Sequence, residues 1–124
     1  DYTDGAGAQR FMICLAGSGL PDTPSWTTNQ IDNAFILNQD KKNPYRLYRE
    51  MKLRAGDKVS FTISATHWWG WWPEPYWRFD GSEGNEKNVL NGGENMKEVE
   101  VKTSGTYLME FDYSLLRSRI TLVK

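Results

Sequence analysis

The sequence predicts an all-β protein, a two-sheet antiparallel β-sandwich of the immunoglobulin-like or carbohydrate-binding-module type. Three observations favour this fold class. Helical periodicity is poor along the whole chain, several short segments alternate between apolar and polar residues, and Gly, Pro, Asn and Asp separate those segments. Two sheets packed face to face would bury the apolar sides of the alternating segments.

The first half of the chain contains four predicted strands. The apolar run "RFMICLA" at 10–16 comes first, and a long loop at 17–29 follows, with two prolines and Trp26. Residues 34–38 ("AFILN") form a further candidate strand. The segments 45–53 and 58–66 alternate clearly, as expected of strands with one buried and one wet face.

The second half predicts three more strands, at 97–102, 106–113 and 118–123. The polar, Gly- and Asn-rich stretch at 80–95 is predicted to be a long surface loop with at most a short strand inside it. In 45–53 the residues on the predicted inner face are Tyr45, Leu47, Met51 and Leu53. The predicted inter-sheet core comprises Phe11, Ile13, Leu53, Val59, Phe61, Ile63, Val101, Tyr107, Met109, Phe111 and Ile120.

Length and charge limit the possible classes of protein. A chain of 124 residues fits one domain, so we expect residues 1–124 to form a single β-sandwich domain. Fifteen Lys and Arg residues nearly balance sixteen Asp and Glu residues, for a formal charge of −1. This balance argues against nucleic acid or an anionic membrane as a partner. The chain opens at Asp1 without an initiator Met, as expected of a processed or trimmed product.

Cys14 and His67 are the sole cysteine and histidine of the chain. An internal disulfide and a multi-cysteine zinc site are therefore impossible, and a catalytic triad is implausible. We expect no cofactor, and we expect Cys14 to be a buried, unreactive thiol within its apolar strand. The run "DGSEGNE" at 80–86 leaves calcium open as an alternative, although it does not match the EF-hand pattern.

The stretch "HWWGWWPEPYWRF" at 67–79 concentrates the aromatic residues of the chain. If the preceding strand continues in phase, Trp68 and Trp72 point outward and Trp69 and Trp71 point inward. The outward pair would then lie about 13 Å apart. A β-bulge at Gly70 would reverse the assignment beyond it.

Two prolines follow the tryptophans and shape the prediction for the next residues. Pro73 and Pro75 stiffen the chain and disfavour a central strand, so we predict that Tyr76 and Trp77 lie in a rigid projecting turn. Rings exposed in this way are costly unless they are used. Trp68, Trp72, Tyr76 and Trp77 are therefore the predicted ligand-stacking platform.

A pyranose ring is the ligand that best fits such a platform. Sugar C–H faces stack on indole, whereas sugar hydroxyls require polar partners, which Glu74, Arg78 and Asp80 could provide. Nucleic acid would also stack on aromatic rings, but it would require a basic groove, and the charges nearby are mixed. The sequence thus favours a neutral polysaccharide or oligosaccharide.

The plan of the chain resembles a domain of the starch-utilisation-type surface glycan-binding lipoproteins of Bacteroidetes, the SusE/SusF-like proteins. The residues that carry this resemblance are the opening strand and its loop with Trp26, "LRAGDKVSFTI" at 53–63, and "GGENMKEVEVKTSGTYLMEFDYSLLRSRITLVK" at 92–124. In that family a Gly- and Asn-containing loop leads to a strand. A Gly-Thr-Tyr sequence then opens the last hairpin.

The resemblance implies a non-catalytic module, normally one of several in a longer chain. We expect the present domain to be a monomer and the C-terminal module of such a chain. Such a chain is held at the bacterial outer membrane by a lipid anchor outside this sequence, and it faces outward. It would hold a glycan at the cell surface for a partner outer-membrane transporter complex. Within the family, surface aromatic residues form the platform, which here corresponds only to the segment 68–78.

Two other functions remain open from the sequence. A small glycoside hydrolase would use two acids such as Glu74 and Asp80, although nothing fixes them at a working separation. A protein-interaction or spacer domain would use the same aromatic residues, because Trp, Tyr and Arg are also enriched at protein interfaces.

Overall fold

The computed structural model describes residues 12–66 and 75–124. In these ranges the chain contains one short 3-10 helix, Gly81–Glu83, and no helix long and apolar enough to cross a membrane. The strands are Ile13–Ser18 (β1), Asn38–Gln39 (β2), Arg46–Leu53 (β3), Lys58–Ala65 (β4), Tyr76–Phe79 (β5), Asn88–Leu90 (β6), Val99–Glu100 (β7), Gly105–Asp112 (β8) and Arg117–Leu122 (β9).

The strands form two antiparallel sheets that pack against each other, which confirms the predicted β-sandwich. Sheet 1 has the order β1-β4-β5-β6, and β7 also pairs with β4. Sheet 2 has the order β2-β3-β8-β9. The long β3–β8 pairing sets Leu47 opposite Phe111 and Met51 opposite Tyr107, so the apolar sides of both strands face sheet 1.

The inter-sheet core contains most of the side chains that alternation predicts. Phe61 lies at its centre, fully buried, with its ring 6.1 Å from the ring of Phe79. Tyr107 is partly buried and packs against the core, whereas Phe11 lies outside the described residues. The other predicted residues that are buried are Ile13, Leu53, Val59, Ile63, Val101, Met109 and Phe111.

Two residues predicted to be buried are exposed. Ile120 is 37% exposed because β9 is the edge strand of sheet 2, and no strand of sheet 1 covers this part of it. It lines an open apolar groove of about 260 Å³ with Val99 and Leu122. Tyr45 is 49% exposed because it lies just before β3, at one end of the sandwich.

The strand boundaries also differ from the prediction at several places. Tyr76–Phe79 is a strand and not a projecting turn; Pro75 precedes β5, a position where proline costs no ladder hydrogen bond. The predicted strand 97–102 is reduced to two paired residues. Residues 34–38 contribute one bridge, between Ile36 and Cys14, before β2 begins.

Sheet 1 is buried on both faces near β1 and β4. The register sets Cys14 opposite Ser64 and Ala16 opposite Thr62, on the face that points away from sheet 2, and all four residues are buried. Small side chains in these positions allow other parts of the chain to approach closely. Gln30 accepts a hydrogen bond from the hydroxyl of Thr66, so the loop at 19–34 reaches the end of β4.

A buried asparagine holds this loop against β1. The Asn33 amide donates to the carbonyl oxygens of Leu15 at 2.7 Å and Thr27 at 3.0 Å, and its oxygen accepts from the Phe35 amide. The following residues pair beside β1, with the Leu37 amide donating to the carbonyl of Ile13. The chain then crosses to sheet 2, where it becomes β2, and so closes one side of the sandwich.

A substitution at the centre of the core tests the packing. We predict that Phe61→Ala lowers the free energy of unfolding by about 3–5 kcal/mol, because it leaves a cavity between the sheets. Urea denaturation measures this loss. Leu115→Ala is the control, since Leu115 is 68% exposed, and it should change stability by less than about 0.5 kcal/mol. Equal effects of the two substitutions would contradict the assigned core.

The thiol of Cys14 provides a test of β1. Burial raises the pKa of this thiol to about 12, so almost no thiolate exists at pH 8. We predict that the folded protein reacts very slowly with a thiol reagent and that the denatured protein reacts at the rate of a free thiol. Rapid labelling of the folded protein would place Cys14 at the surface.

Candidate functional site

The alternation of β5 divides the end of the aromatic stretch between two faces. Trp77 and Phe79 are buried between the sheets, whereas Tyr76 and Arg78 lie on the outer side of sheet 1 with intermediate exposure. Ser64 pairs with Tyr76 and Ile63 with Trp77, and this register fixes the phase. Of the predicted site residues in β5, Tyr76 and Arg78 therefore remain accessible to a ligand.

Trp77 was predicted to belong to the stacking platform, and the structure corrects this. Its side chain is only 5% exposed, and its ring centroid lies 5.2 Å from that of Phe111 in sheet 2. The indole is a core residue because an inward position of β5 faces the apolar side of β8. A glycan in solution could not stack on this ring.

Tyr76 and Arg78 form a preorganised pair on the outer side of β5. The guanidinium carbon of Arg78 lies 5.2 Å from the centroid of the Tyr76 ring, a cation–π contact. Asn91 holds the backbone of Tyr76 through two hydrogen bonds. The Tyr76 backbone amide donates to the side-chain oxygen of Asn91, and the Asn91 backbone amide donates to the carbonyl oxygen of Tyr76. The pair thus combines an aromatic ring with a cluster of N–H donors.

The turn after β6 packs tightly against this pair. Asn91 and Gly93 both have positive φ. A Cβ atom at Gly93 would lie 2.9 Å from the carbonyl oxygen of Phe79 and 3.2 Å from the Cβ of Arg78. Only glycine fits at this position, where the backbone approaches β5 closely and adopts a left-handed conformation.

Asp80, another predicted ligand-binding residue, has a local structural role. Its carboxylate accepts hydrogen bonds from the hydroxyl and the amide of Ser82, which cap the 3-10 helix, and it lies 3.9 Å from the Lys87 ammonium. The Ser82 hydrogen bonds, with a smaller effect of Lys87, lower the pKa of Asp80. The Asp80 carboxylate is therefore ionised at neutral pH, and one of its oxygens already accepts the two hydrogen bonds from Ser82.

A row of aromatic rings runs from the core to the surface at the same end of the sandwich. The Tyr113 ring lies 6.5 Å from Trp77 and 5.3 Å from Tyr45, which is exposed. The sequence prediction missed this feature because alternation assigned Tyr45 to the core. Pro44 precedes Tyr45, and the Asp112 side chain caps the turn after β8. These two residues were the sequence signals that β3 begins and β8 ends at this point.

The Tyr113 hydroxyl is available as a neutral hydrogen-bonding group. Burial, then the nearby Tyr45 and Asp112, raises the pKa of Tyr113. The hydroxyl therefore stays protonated at neutral pH and can both donate and accept a hydrogen bond.

The remaining predicted site residues, Trp68, Trp72 and Glu74, lie outside the described residues. The flanking residues are described: the Thr66 amide donates to the carbonyl of Met12, and the Ala65 amide donates to the carbonyl of Pro75. Both ends of the aromatic stretch are thus anchored next to Tyr76. The described part of the site comprises Tyr76, Arg78, Tyr113 and Tyr45, which we call the aromatic end.

The aromatic end carries several kinds of group that can contact a ligand. It offers ring faces, a guanidinium and neutral hydroxyls, the groups that contact polar ligands with apolar faces. Within 12–66 and 75–124, no group of three His, Cys, Asp or Glu side chains could hold a metal ion. Comparisons with protein-family models, curated proteins and solved structures gave no match to this chain.

Losses of stability of different size should distinguish the neighbouring rings of Trp77 and Tyr76 in β5. We predict that Trp77→Ala lowers the free energy of unfolding by about 3–5 kcal/mol, because the indole fills the space between the sheets. Tyr76→Ala should cost less than about 1 kcal/mol, because its ring lies on the outer side. Chemical denaturation followed by circular dichroism measures both values. If Tyr76→Ala is the more damaging substitution, the phase of β5 is wrong.

Proposed function

We propose that this protein is a non-catalytic carbohydrate-binding module that holds a neutral polysaccharide or oligosaccharide at the aromatic end. The observation that carries the proposal is the Tyr76–Arg78 pair, an accessible ring stabilised by a guanidinium 5.2 Å away. The pair directly follows the tryptophan-rich segment 67–74. Trp68 and Trp72 remain proposed platform residues, whereas Trp77 is a core residue.

The groups at the aromatic end match the two sides of a pyranose. The C–H face of the sugar stacks on an aromatic ring through dispersion and a weak attraction to the π face. Its hydroxyls pair with forked donors such as Arg78 and with hydroxyls such as that of Tyr113. Rings that are already held in place lose little conformational entropy on binding, which favours affinity.

The state of Asp80 limits the role that it could take in the glycosidase alternative. The general acid of a glycosidase has a raised pKa so that it carries a proton at working pH. The hydrogen bonds from Ser82 lower the pKa of Asp80 instead. Asp80 is therefore unsuited to the acid role in a glycosidase pair, whereas its ionised carboxylate fits the role of nucleophile or base.

The cellular setting is part of the proposal and is supported by the resemblance in 53–63 and 92–124. We place the module at the bacterial outer membrane, exposed at the cell surface, as part of a lipid-anchored glycan-binding protein. Its partners would be the glycan and an outer-membrane glycan transporter complex. We expect the module to be a monomer.

A second candidate function, a protein-interaction domain of a glycan-uptake complex, is favoured by one observation. The apolar groove beside β9 exposes Val99, Ile120 and Leu122 at the sheet edge. Exposed apolar surface is a common feature of protein-binding sites. This candidate predicts that no glycan binds to the isolated protein.

A panel of glycans, titrated against the protein and followed by tryptophan fluorescence, tests the proposal. We expect binding of a neutral oligosaccharide with little dependence on salt, because stacking is largely dispersive. Tyr76→Ala should weaken that binding by roughly 1–3 kcal/mol, by analogy with bases that stack on aromatic side chains. Its thermal stability should stay close to that of the unmodified protein.

Tyr76→Phe is the matched control, since it keeps the ring and removes only the hydroxyl. It should retain most of the affinity. If no glycan binds, or if Tyr76→Ala and substitutions at Trp68 and Trp72 all leave binding unchanged, the proposed platform is wrong. Release of reducing ends during the incubation would favour the glycosidase instead.

A further inference from the structure

The outer face of sheet 2 differs from that of sheet 1 because its side chains are accessible. On sheet 1 the outward residues Cys14, Ala16, Thr62 and Ser64 of β1 and β4 are buried. On β3 and β8 the outward residues are all exposed or of intermediate exposure. We call this surface the sheet 2 face and define it by Arg46, Tyr48, Glu50, Lys52, Thr106, Leu108 and Glu110.

A broad depression of about 770 Å³ crosses the sheet 2 face. Tyr48, Lys52 and Leu108 are among the side chains that line it. This volume is within the range of clefts that bind small ligands. β3 extends for about 20 Å along the depression from Arg46 to Lys52, at roughly 3.3 Å per residue, so an elongated ligand could lie along the strand.

Tyr48 is fixed in place by a network of charges. The guanidinium carbon of Arg46 lies 4.7 Å from the centroid of the Tyr48 ring. Arg46 is itself held by Asp40, with Nη1 to Oδ2 at 3.1 Å, and by Glu110, with Nη2 to Oε2 at 2.8 Å. The network uses the Arg46 donors, so it orients the ring and leaves little capacity for a ligand at the guanidinium itself.

The charges that remain in the depression are mainly positive. Lys52 and Lys124 line it with one acid, Glu50. Arg49 is not one of these free charges, because its guanidinium donates to the Ile36 carbonyl and lies over the ring of the core residue Phe35. Within the described part of the chain, neither Lys52 nor Glu50 has an ion-pair partner. The local excess of positive charge contrasts with the formal charge of −1 of the whole chain.

We propose that the sheet 2 face is a second binding surface that takes an acidic oligosaccharide, one whose sugars carry carboxylates. Tyr48 would stack on a sugar ring, and Leu108 would contact its apolar edge. Lys52 would pair with a sugar carboxylate, and the hydroxyl of Thr106 would bond a sugar hydroxyl. Two cations, Lys52 and Lys124, suit widely spaced carboxylates better than the continuous phosphates of a nucleic acid.

The stacking residues of the two sites are separate, since Tyr48 lies on the outer side of sheet 2 and Tyr76 on the outer side of sheet 1. The two differ in the force that dominates binding. An acidic ligand held by Lys52 should bind more weakly as salt rises, whereas a stacked neutral ligand should not.

The test compares an oligogalacturonate with a neutral oligosaccharide of equal length by isothermal titration calorimetry at two salt concentrations. We expect the oligogalacturonate to bind more tightly at low salt. Lys52→Gln should weaken its binding by about three- to fivefold, the value of an exposed ion pair. Tyr48→Ala should weaken it by about fivefold or more, because the stacking ring is lost.

Lys58→Gln is the matched control, because it removes the same charge from exposed Lys58 on sheet 1. It should leave oligogalacturonate binding unchanged. Tyr48→Phe should retain binding, since the ring stays on Arg46. The inference is overturned if Lys58→Gln and Lys52→Gln act equally, or if the neutral chain binds as tightly as the acidic one.

Tyr76→Ala separates this inference from the proposed function. It should reduce binding of the neutral glycan and leave oligogalacturonate binding unchanged. If it abolishes oligogalacturonate binding while Tyr48→Ala does not, the acidic glycan binds at the aromatic end, and the sheet 2 face is a solvated surface.

Discussion

The contact between Trp77 and Phe111 determines how the aromatic end is built. The indole of Trp77 lies between the sheets, 5.2 Å from the Phe111 ring, and it commits β5 to one phase. Because side chains alternate along a strand, Tyr76 and Arg78 must then lie on the outer side. The same indole contacts Tyr113, which supports the exposed Tyr45. A core contact thus fixes both accessible sides of the candidate site.

Much of the fold follows from alternation with period two. The segments 45–53, 58–66, 106–113 and 118–123 each alternate between mainly apolar and mainly polar positions, and each contains a strand of sheet 1 or sheet 2. Alternation cannot show which inward positions are covered. Ile120 has the predicted orientation, but β9 is an edge strand, and the apolar groove beside it is open to solvent. Burial of an inward residue depends on which strand faces it, and this is a property of the whole topology.

The candidate site was predictable only in part. The sequence identified Tyr76 and Arg78 as accessible groups. The prediction that Trp77 is also exposed was wrong, because the prolines on its N-terminal side suggested a turn. Proline excludes a central ladder position, but it is compatible with the residue before a strand. Tyr45 and Tyr113 were missed because their contact joins residues far apart in the chain. Asp80 was assigned to a ligand, although its nearest donors belong to the turn that follows it.

The two sheets leave unequal amounts of surface for function. In sheet 1 the outward side chains of Cys14 and Ser64 are buried, so a ligand cannot lie flat across β1 and β4. Accessible side chains remain on the outer side of β5, at the end of the sandwich beside Tyr45, and on the open face of sheet 2. The end offers aromatic rings and neutral hydroxyls, and the sheet 2 face offers one fixed ring with unpaired charges. On the two proposals above, one small domain would bind two chemically different parts of a glycan, and the affinity of only one of them would be sensitive to salt.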